Sequence, residues 1–147
     1  MALLLVDDHL LRGVLAQHPV DLARDARDRG ELATTELYYH RLCASYARPE
    51  IAGRLSAPLA QFDPRARARF RERIAALPDD IISIPIRSLA WRMAEIRERF
   101  HVSTLVAEVL ASAENLSATI AVDQADLGPR MQFAAIELHI ELATVAS

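Results

Sequence analysis

Short apolar runs alternate with helical patterns along the whole of this 147-residue sequence, and this alternation restricts the fold more than any other feature. Runs typical of buried strands occupy residues 3–6, 32–35, 81–86, 119–122 and 140–144. Helical patterns occupy residues 9–17, 21–29, 36–46, 64–77, 88–100, 104–115 and 129–137, and residues 50–62 fit a short helix interrupted by a proline. Such alternation indicates an α/β fold with a mostly parallel sheet. We therefore predict one three-layer α/β/α domain with a short central sheet over residues 1–147.

Capping residues stand at the predicted helix starts. Asp8, Thr35 and Ser103 each precede a predicted helix, where their side-chain oxygens can accept a hydrogen bond from a first-turn amide. Asp63 is followed by Pro64, which combines a capping acid with a proline at the first helical position. These signals fix four of the predicted helix starts.

The composition narrows the class of protein. All 17 basic residues are arginine and the formal net charge is −3, so contact with a nucleic acid would need a local basic patch. A single cysteine, Cys43, excludes an intramolecular disulfide and a cysteine-based zinc cluster, and the five histidines lack paired ligand spacing. No basic leader and no apolar run of membrane-spanning length occurs in the sequence. We therefore expect a cytoplasmic protein without a membrane anchor.

Carboxylates follow the predicted strands at the edge where parallel strands end. Asp7 and Asp8 follow the first strand, Asp123 and Asp126 follow the fourth, and Glu36 opens the helix after the second. In open α/β sheets, the functional crevice lies beyond the carboxyl ends of the strands. Converging carboxylates suit the hard cations Mg²⁺ and Mn²⁺, which can activate water against phosphorus. The sequence therefore predicts a divalent metal site at this edge.

Three polar residues near this edge have alternative interpretations. Glu108 lies in an otherwise apolar helix, so it either meets a metal ion or solvated cleft or sits on a solvent-facing stripe. Asp8 is interpreted mainly as a helix cap rather than a direct ligand. His9 either reaches the cleft or is an ordinary exposed residue in the first helical turn.

The opening stretch LLLVDDHLL resembles the first strand of response-regulator receiver domains, where a carboxylate pair binds Mg²⁺. Receivers also carry an aspartate at the end of the third strand and a lysine at the end of the fifth. This sequence contains no lysine, and Asp63 and Asp79 precede a helix and a strand instead of following one. The receiver interpretation therefore fails on chemistry.

Part of the opening stretch and one later stretch resemble PIN domains, the small metal-dependent nucleases that include the VapC toxins of toxin-antitoxin pairs. VDDHLL at residues 6–11 looks like their first strand, its terminal aspartate and the helix that follows. STLVAEVLASAENLSATIAVDQAD at residues 103–126 looks like their helix acid and the acid that ends the fourth strand. The order of elements is similar along nearly the whole chain.

The PIN resemblance implies a ribonuclease with a carboxylate-bound metal. It assigns Asp7, Glu108 and Asp126 to the site, with Asp123 or Glu36 contributing, and Mg²⁺ or Mn²⁺ as the cofactor. It also implies an RNA substrate, a cognate antitoxin that covers the cleft, and a homodimer. These assignments are expectations that come from the family.

The sequence departs from the PIN pattern at two acids. Glu108 lies about half a turn deeper in its helix than the usual aspartate. The family's second acid lies within the helix after the second strand, where this chain has His40 and Arg41, while Glu36 comes roughly a turn earlier. An irregular acid set favours an alternative function, that of a catalytically weak PIN-like binding or interaction module.

An arginine-rich helix follows Asp63-Pro64. Its arginines occupy alternate positions and so spread around the helix, which is typical of a solvated surface: Arg65, Arg67, Arg69, Arg71 and Arg73. If RNA is the substrate, Arg12, Arg65 and Arg69 are our candidates for phosphate contacts, because arginine binds phosphate with bidentate geometry.

The aromatic residues do not suggest a platform for stacking bases. We expect Trp91, Tyr38 and Tyr39 in the core or at a dimer interface. Apolar helix faces left exposed would then serve a dimer or an antitoxin.

Overall fold

Five parallel strands form one sheet in the computed structural model, which describes residues 2–47 and 63–146. In their order across the sheet, the strands are β3 (Ile82–Ile84), β2 (Leu32–Thr35), β1 (Leu4–Val6), β4 (Thr119–Asp123) and β5 (Leu142–Val145). Each neighbouring pair is parallel, as expected when helices connect the strands. The predicted α/β class is confirmed.

Seven α-helices lie in the described part of the chain. They are α1 (Asp8–Leu15), α2 (Asp21–Asp28), α3 (Glu36–Ala47), α4 (Pro64–Ala75), α5 (Ala90–Phe100), α6 (Thr104–Leu116) and α7 (Pro129–Glu137). Short 3₁₀ turns follow β3 (Ile86–Ser88) and β4 (Gln124–Asp126). The short helix predicted at residues 50–62 lies outside the described residues.

The helices form two layers that enclose the sheet. Leu4 and Val6 of β1 pack in one apolar cluster with side chains from α1 to α4, among them Phe70. Leu5 faces the other way and packs with side chains from α5 to α7, among them Leu110. Because successive residues of a strand point to opposite faces, the central run is apolar on both sides. The predicted three-layer α/β/α arrangement is confirmed.

Three of the four predicted caps are confirmed. Thr35, Asp63 and Ser103 each accept a hydrogen bond from the amide three residues later, at 3.1, 2.7 and 3.2 Å. These contacts satisfy amides that the first turn of a helix leaves without a partner. They set the starts of α3, α4 and α6.

The fourth predicted cap was wrong. Asp7, rather than Asp8, caps α1, and its carboxylate accepts the Leu10 amide hydrogen at 2.8 Å. Asp8 is already helical, and its side chain turns to another helix. The helix therefore starts one residue earlier than its apolar periodicity suggested. Asp8 lies inside the helix and does not cap it.

The region after β3 also differs from the prediction. The strand ends at Ile84, and Pro85 leads into the 3₁₀ turn, so α5 starts at Ala90 rather than at Ser88. Proline has no amide hydrogen to donate to a sheet ladder, which explains the early end of the strand. β3 is also an edge strand of the sheet, which agrees with the same constraint.

The expectation that aromatic residues lie in the core or at an interface is met in the core by one residue. Tyr38 is buried, whereas Trp91 on α5 is 82% exposed and therefore lies outside the core. The interface alternative for Trp91 stays a prediction. Among the helices of the described ranges, none combines the length and the apolar character needed to span a bilayer.

We predict that Leu5→Ala lowers the free energy of unfolding by about 3 kcal/mol, because Leu5 is completely buried in the central strand and its truncation leaves a cavity. Leu22→Ala is the matched control, since Leu22 is 41% exposed on α2 and should cost less than about 1 kcal/mol. Urea denaturation followed by circular dichroism measures both values. Equal losses in the two variants would contradict the assigned core.

Candidate functional site

Asp7 lies at the carboxyl end of β1 and is completely buried. Its Oδ1 accepts the Leu10 amide hydrogen at 2.8 Å, and its Oδ2 accepts the Asp123 amide hydrogen at 2.9 Å. Burial raises the pKa of Asp7, and the two amide donors offset part of that rise. The carboxylate is therefore held in a single orientation between α1 and β4.

His9 and Asp126 bring further metal-ligating atoms to Asp7. Ligand atoms of Asp7, His9 and Asp126 all lie within 4.8 Å of one another. His9 Nδ1 is 2.6 Å from Asp126 Oδ2, yet this buried nitrogen is not aligned for a hydrogen bond. Two carboxylates and an imidazole nitrogen within this span are a plausible ligand set for a divalent cation. We call these three residues the Asp7 group.

The other predicted acids do not join the Asp7 group. Glu36 turns away to accept the Ile86 amide hydrogen at 3.1 Å, and Asp123 Oδ1 accepts the Ala125 amide hydrogen at 2.9 Å. Asp123 caps the 3₁₀ turn after β4, and Glu36 holds the first residue of the 3₁₀ turn after β3. Their position at the edge of the sheet is as predicted, but their contacts are with the backbone.

The structure decides against one of the two alternatives drawn from the sequence for Glu108. It is completely buried in the middle of α6, so the solvent-facing interpretation was wrong. Its Oε1 accepts the Leu37 amide hydrogen at 2.8 Å in the first turn of α3, and its Oε2 has no hydrogen-bond partner in the described residues. Burial raises the pKa of Glu108. A carboxylate at a helix start is favoured by the helix dipole, so Glu108 braces α3 from α6.

Asp8 forms an ion pair with Arg41 of α3. The Arg41 Nε atom lies 2.7 Å from one Asp8 oxygen, and a terminal nitrogen donates to the other, which gives a two-point contact. The Asp8 carboxylate raises the pKa of Arg41. The guanidinium also lies 5.6 Å from the ring centre of the buried Tyr38. Arg41 is therefore fixed between α1 and α3.

A cleft of about 220 Å³ separates α1 from α3 next to the Asp7 group. Its lining includes charged and polar side chains from both helices and from the turn after β4: Asp8, His9, Arg12, Arg41, Tyr46 and Asp126. Two guanidinium groups thus face the same space as two carboxylates. We call this space the α1–α3 cleft.

The α1–α3 cleft contains functional candidates that sequence reasoning missed. Arg41 was noted only as a departure from the PIN pattern, and Tyr46 entered only as the last residue of a predicted helix. No sequence signal pairs Asp8 with Arg41, because the two residues are 33 positions apart and on different helices. The pairing follows from the packing of α1 against α3.

The arginine-rich helix α4 contributes a different surface. Arg65 and Arg69 are exposed, and Arg69 lines a separate cleft of about 310 Å³ with Arg73 and His18, near the end of α1. Arg12, by contrast, lines the α1–α3 cleft itself. Two of the three predicted phosphate contacts therefore line different clefts, and Arg65 is exposed on α4.

Comparison with known proteins gave no match, either to a family model or to a curated protein. The PIN resemblance therefore depends on the residues quoted above. Functional inference must start from the geometry of the Asp7 group and the α1–α3 cleft.

We predict that Glu108→Gln changes how stability depends on pH. A raised pKa means that folded Glu108 keeps its proton where the unfolded chain has lost it, so wild-type stability falls as pH rises above the ordinary value of 4.5. Glutamine at this position does not titrate, so the variant should keep its stability as pH rises. The difference in free energy of unfolding, variant minus wild type, should therefore increase with pH. Urea denaturation across that range gives the comparison.

Two further variants control this test. Glu108→Ala leaves the Leu37 amide without its acceptor and should cost about 1–3 kcal/mol. Glu98→Gln changes an exposed residue on α5 and should follow the wild type within about 0.5 kcal/mol. A constant difference between wild type and Glu108→Gln at every pH would contradict the buried, protonation-sensitive role.

Proposed function

We propose that this protein is a metal-dependent ribonuclease of the PIN and VapC type, which hydrolyses RNA phosphodiesters. The observation that carries the proposal is the meeting of Asp7, His9 and Asp126 at the carboxyl edge of a parallel sheet, beside a cleft lined by two arginines. Ligands in open α/β folds bind at this edge. Carboxylates beside arginines suit a substrate that carries phosphate.

The Asp7 group fits a divalent cation. His9 Nδ1 is buried without an aligned hydrogen-bond partner, and metal coordination would satisfy it. The donors are two carboxylates and an imidazole, and the nitrogen favours Mn²⁺ over Mg²⁺, which takes oxygen ligands. A bound ion of this kind supplies hydroxide from water near neutral pH and stabilises charge at phosphorus.

The residues around the cation would have separate tasks. Asp7 provides a fixed carboxylate because two amides hold its oxygens. Asp126 and His9 complete the ligand set from a more exposed position. Arg12 contacts the RNA phosphates in the cleft, and Arg65 and Arg69 contact more distant phosphates across α4.

The VapC resemblance extends the proposal to partners. An antitoxin would cover the cleft, and a homodimer would bury exposed apolar side chains. The structure offers such side chains on two helices, with Trp91 on α5 and Phe133 and Ile136 on α7, each more than half exposed. We place the protein in the cytoplasm on the same grounds.

A second candidate function is a catalytically weak binding module of PIN-like fold. The observation that favours it is the engagement of Glu36, Asp123 and Glu108 by backbone amides. Three acids that would otherwise strengthen the metal site instead brace the fold. The Asp7 group would then bind metal weakly or not at all.

We predict that Mn²⁺ binds the wild-type protein saturably and that Asp126→Asn weakens this binding at least about tenfold, because it removes a ligand. Asp126 is the better test residue than Asp7, since each Asp7 oxygen accepts a backbone amide and Asp7→Asn would also damage the fold. Asp79→Asn alters an exposed acid in the turn before β3 and is the control. Isothermal titration calorimetry measures the three affinities.

Ribonuclease activity should follow the metal affinity. Cleavage of a single-stranded RNA substrate in Mn²⁺ should fall at least about a hundredfold in Asp126→Asn and stay unchanged in Asp79→Asn. Weak or absent Mn²⁺ binding together with absent cleavage would support the binding module, and saturable Mn²⁺ binding without cleavage would contradict the ribonuclease proposal. Cleavage that survives Asp126→Asn and chelation would overturn the metal mechanism.

A further inference from the structure

The α1–α3 cleft contains hydrogen-bond donors that the proposed metal group does not use. Arg12 comes from α1, and Arg41 and Tyr46 come from α3, so three donors from two helices face one small space. Leu42 lines the same cleft and adds an apolar surface. The arrangement is built into the packing of the two helices and does not depend on a flexible loop.

The Tyr46 hydroxyl is the strongest sign of a missing ligand. Tyr46 is 5% exposed, and its hydroxyl makes no hydrogen bond of good geometry within residues 2–47 and 63–146. Burial raises the pKa of Tyr46, and the charge of the neighbouring Arg12 side chain and its contact with the hydroxyl oppose that rise. A buried hydroxyl without a partner costs stability unless a ligand supplies one. The hydroxyl therefore stands ready to donate to an acceptor in the cleft.

The ion pair with Asp8 orients the Arg41 side chain but engages only part of its guanidinium. Asp8 accepts from Nε and from one terminal nitrogen, which takes two of the five N–H donors of a guanidinium. The remaining donors belong to a side chain whose direction the ion pair has already fixed. An arginine held in this way loses little freedom when it binds an anion.

The charges of the cleft match a phosphate next to a cation. Arg12 and Arg41 oppose Asp8 and Asp126, so the lining is balanced before anything binds. An anion placed between the arginines lies next to the Asp7 group, where a divalent cation would supply further positive charge. Affinity for the anion and affinity for the metal should therefore support each other.

We propose that Arg12, Arg41 and the Tyr46 hydroxyl form a phosphate subsite that binds one phosphate group of an RNA strand in the α1–α3 cleft. The identity of the strand as RNA rests on the proposed function, whereas the phosphate chemistry rests on the donors. At about 220 Å³, the cleft is below the usual range for drug-sized ligands, so it takes a phosphate with its sugar and leaves the base outside. Binding at this subsite is therefore independent of base identity.

The test measures binding of a fluorescein-labelled oligouridine by anisotropy, in chelator so that no cleavage occurs, over a series of salt concentrations. Arg12→Gln and Arg41→Gln should each weaken binding about tenfold and lower the salt slope by about 0.7, the value for one lost contact with a single strand. Arg97→Gln, exposed on α5 in the opposite layer, is the matched control and should change neither quantity.

Tyr46→Phe keeps the test decisive if an arginine variant fails to fold. It removes only the hydroxyl, so stability should hold or rise, while phosphate affinity should fall about tenfold because a hydrogen bond to a charged group is lost. Unchanged binding in Tyr46→Phe together with unchanged binding in the arginine variants would overturn the subsite.

Competition with inorganic phosphate distinguishes an RNA phosphate from free phosphate as the ligand of the subsite. If it displaces oligouridine from the wild type, and Arg12→Gln and Arg41→Gln weaken its binding as well, the subsite and its use by RNA are both supported. If it binds through the arginines but oligouridine does not, RNA is overturned as the source. Addition of Mn²⁺ should tighten phosphate binding to the wild type but not to Asp126→Asn.

The two proposals fail in different ways. Phosphate binding that depends on Arg12 and Arg41 supports the subsite even if Mn²⁺ never binds and no RNA is cut. Metal binding and cleavage that persist with unchanged RNA affinity in both arginine variants would overturn the subsite and leave the nuclease proposal intact.

Discussion

The carboxylate of Asp7 joins the central strand to the helix that follows and to the neighbouring strand. One oxygen holds the first turn of α1 through Leu10, and the other holds the end of β4 through Asp123. Because Asp123 in turn begins the 3₁₀ turn that carries Asp126, the position of the second carboxylate of the site depends on the first. The same residue that caps α1 also places the group beside the cleft. A structural role and a proposed metal-binding role therefore meet in one buried side chain.

The acids at this edge differ in what their oxygens meet, and that difference separates their roles. Glu108 and Glu36 accept hydrogen bonds from backbone amides of other elements. Glu108 thereby connects α6 to α3, and Glu36 connects α3 to the turn after β3. Asp8 instead pairs with the guanidinium of Arg41 and so holds that arginine at the cleft. Asp126 meets an imidazole at a distance short enough to share a metal ion. Carboxylate side chains thus serve as brace, orienting partner or candidate ligand, according to the donor that packing brings to each.

Much of this arrangement is predictable from local patterns. Apolar runs and caps define the strands and helices, and β2 has the predicted bounds because Thr35 both ends the strand and caps α3. The carboxyl edge of the sheet was also identified correctly, since it follows from parallel strands alone. The roles of Asp8 and Glu108 were not predictable, because each depends on an amide or guanidinium 33 to 71 residues away. Those contacts arise only when helices pack.

Helix geometry explains why the half-turn departure of Glu108 from the PIN pattern changes what its side chain meets. Each residue advances about 100° around a helix, so a displacement of half a turn moves a side chain from one face to the opposite one. At position 108, the side chain lies within a run of seven buried residues of α6 and reaches the start of α3. The carboxyl group that an ordinary PIN pattern would place in the cleft therefore holds the start of α3 instead. The cleft instead has the positive charge of Arg41 in its lining, which is why we propose that it holds one cation beside an anion rather than several cations.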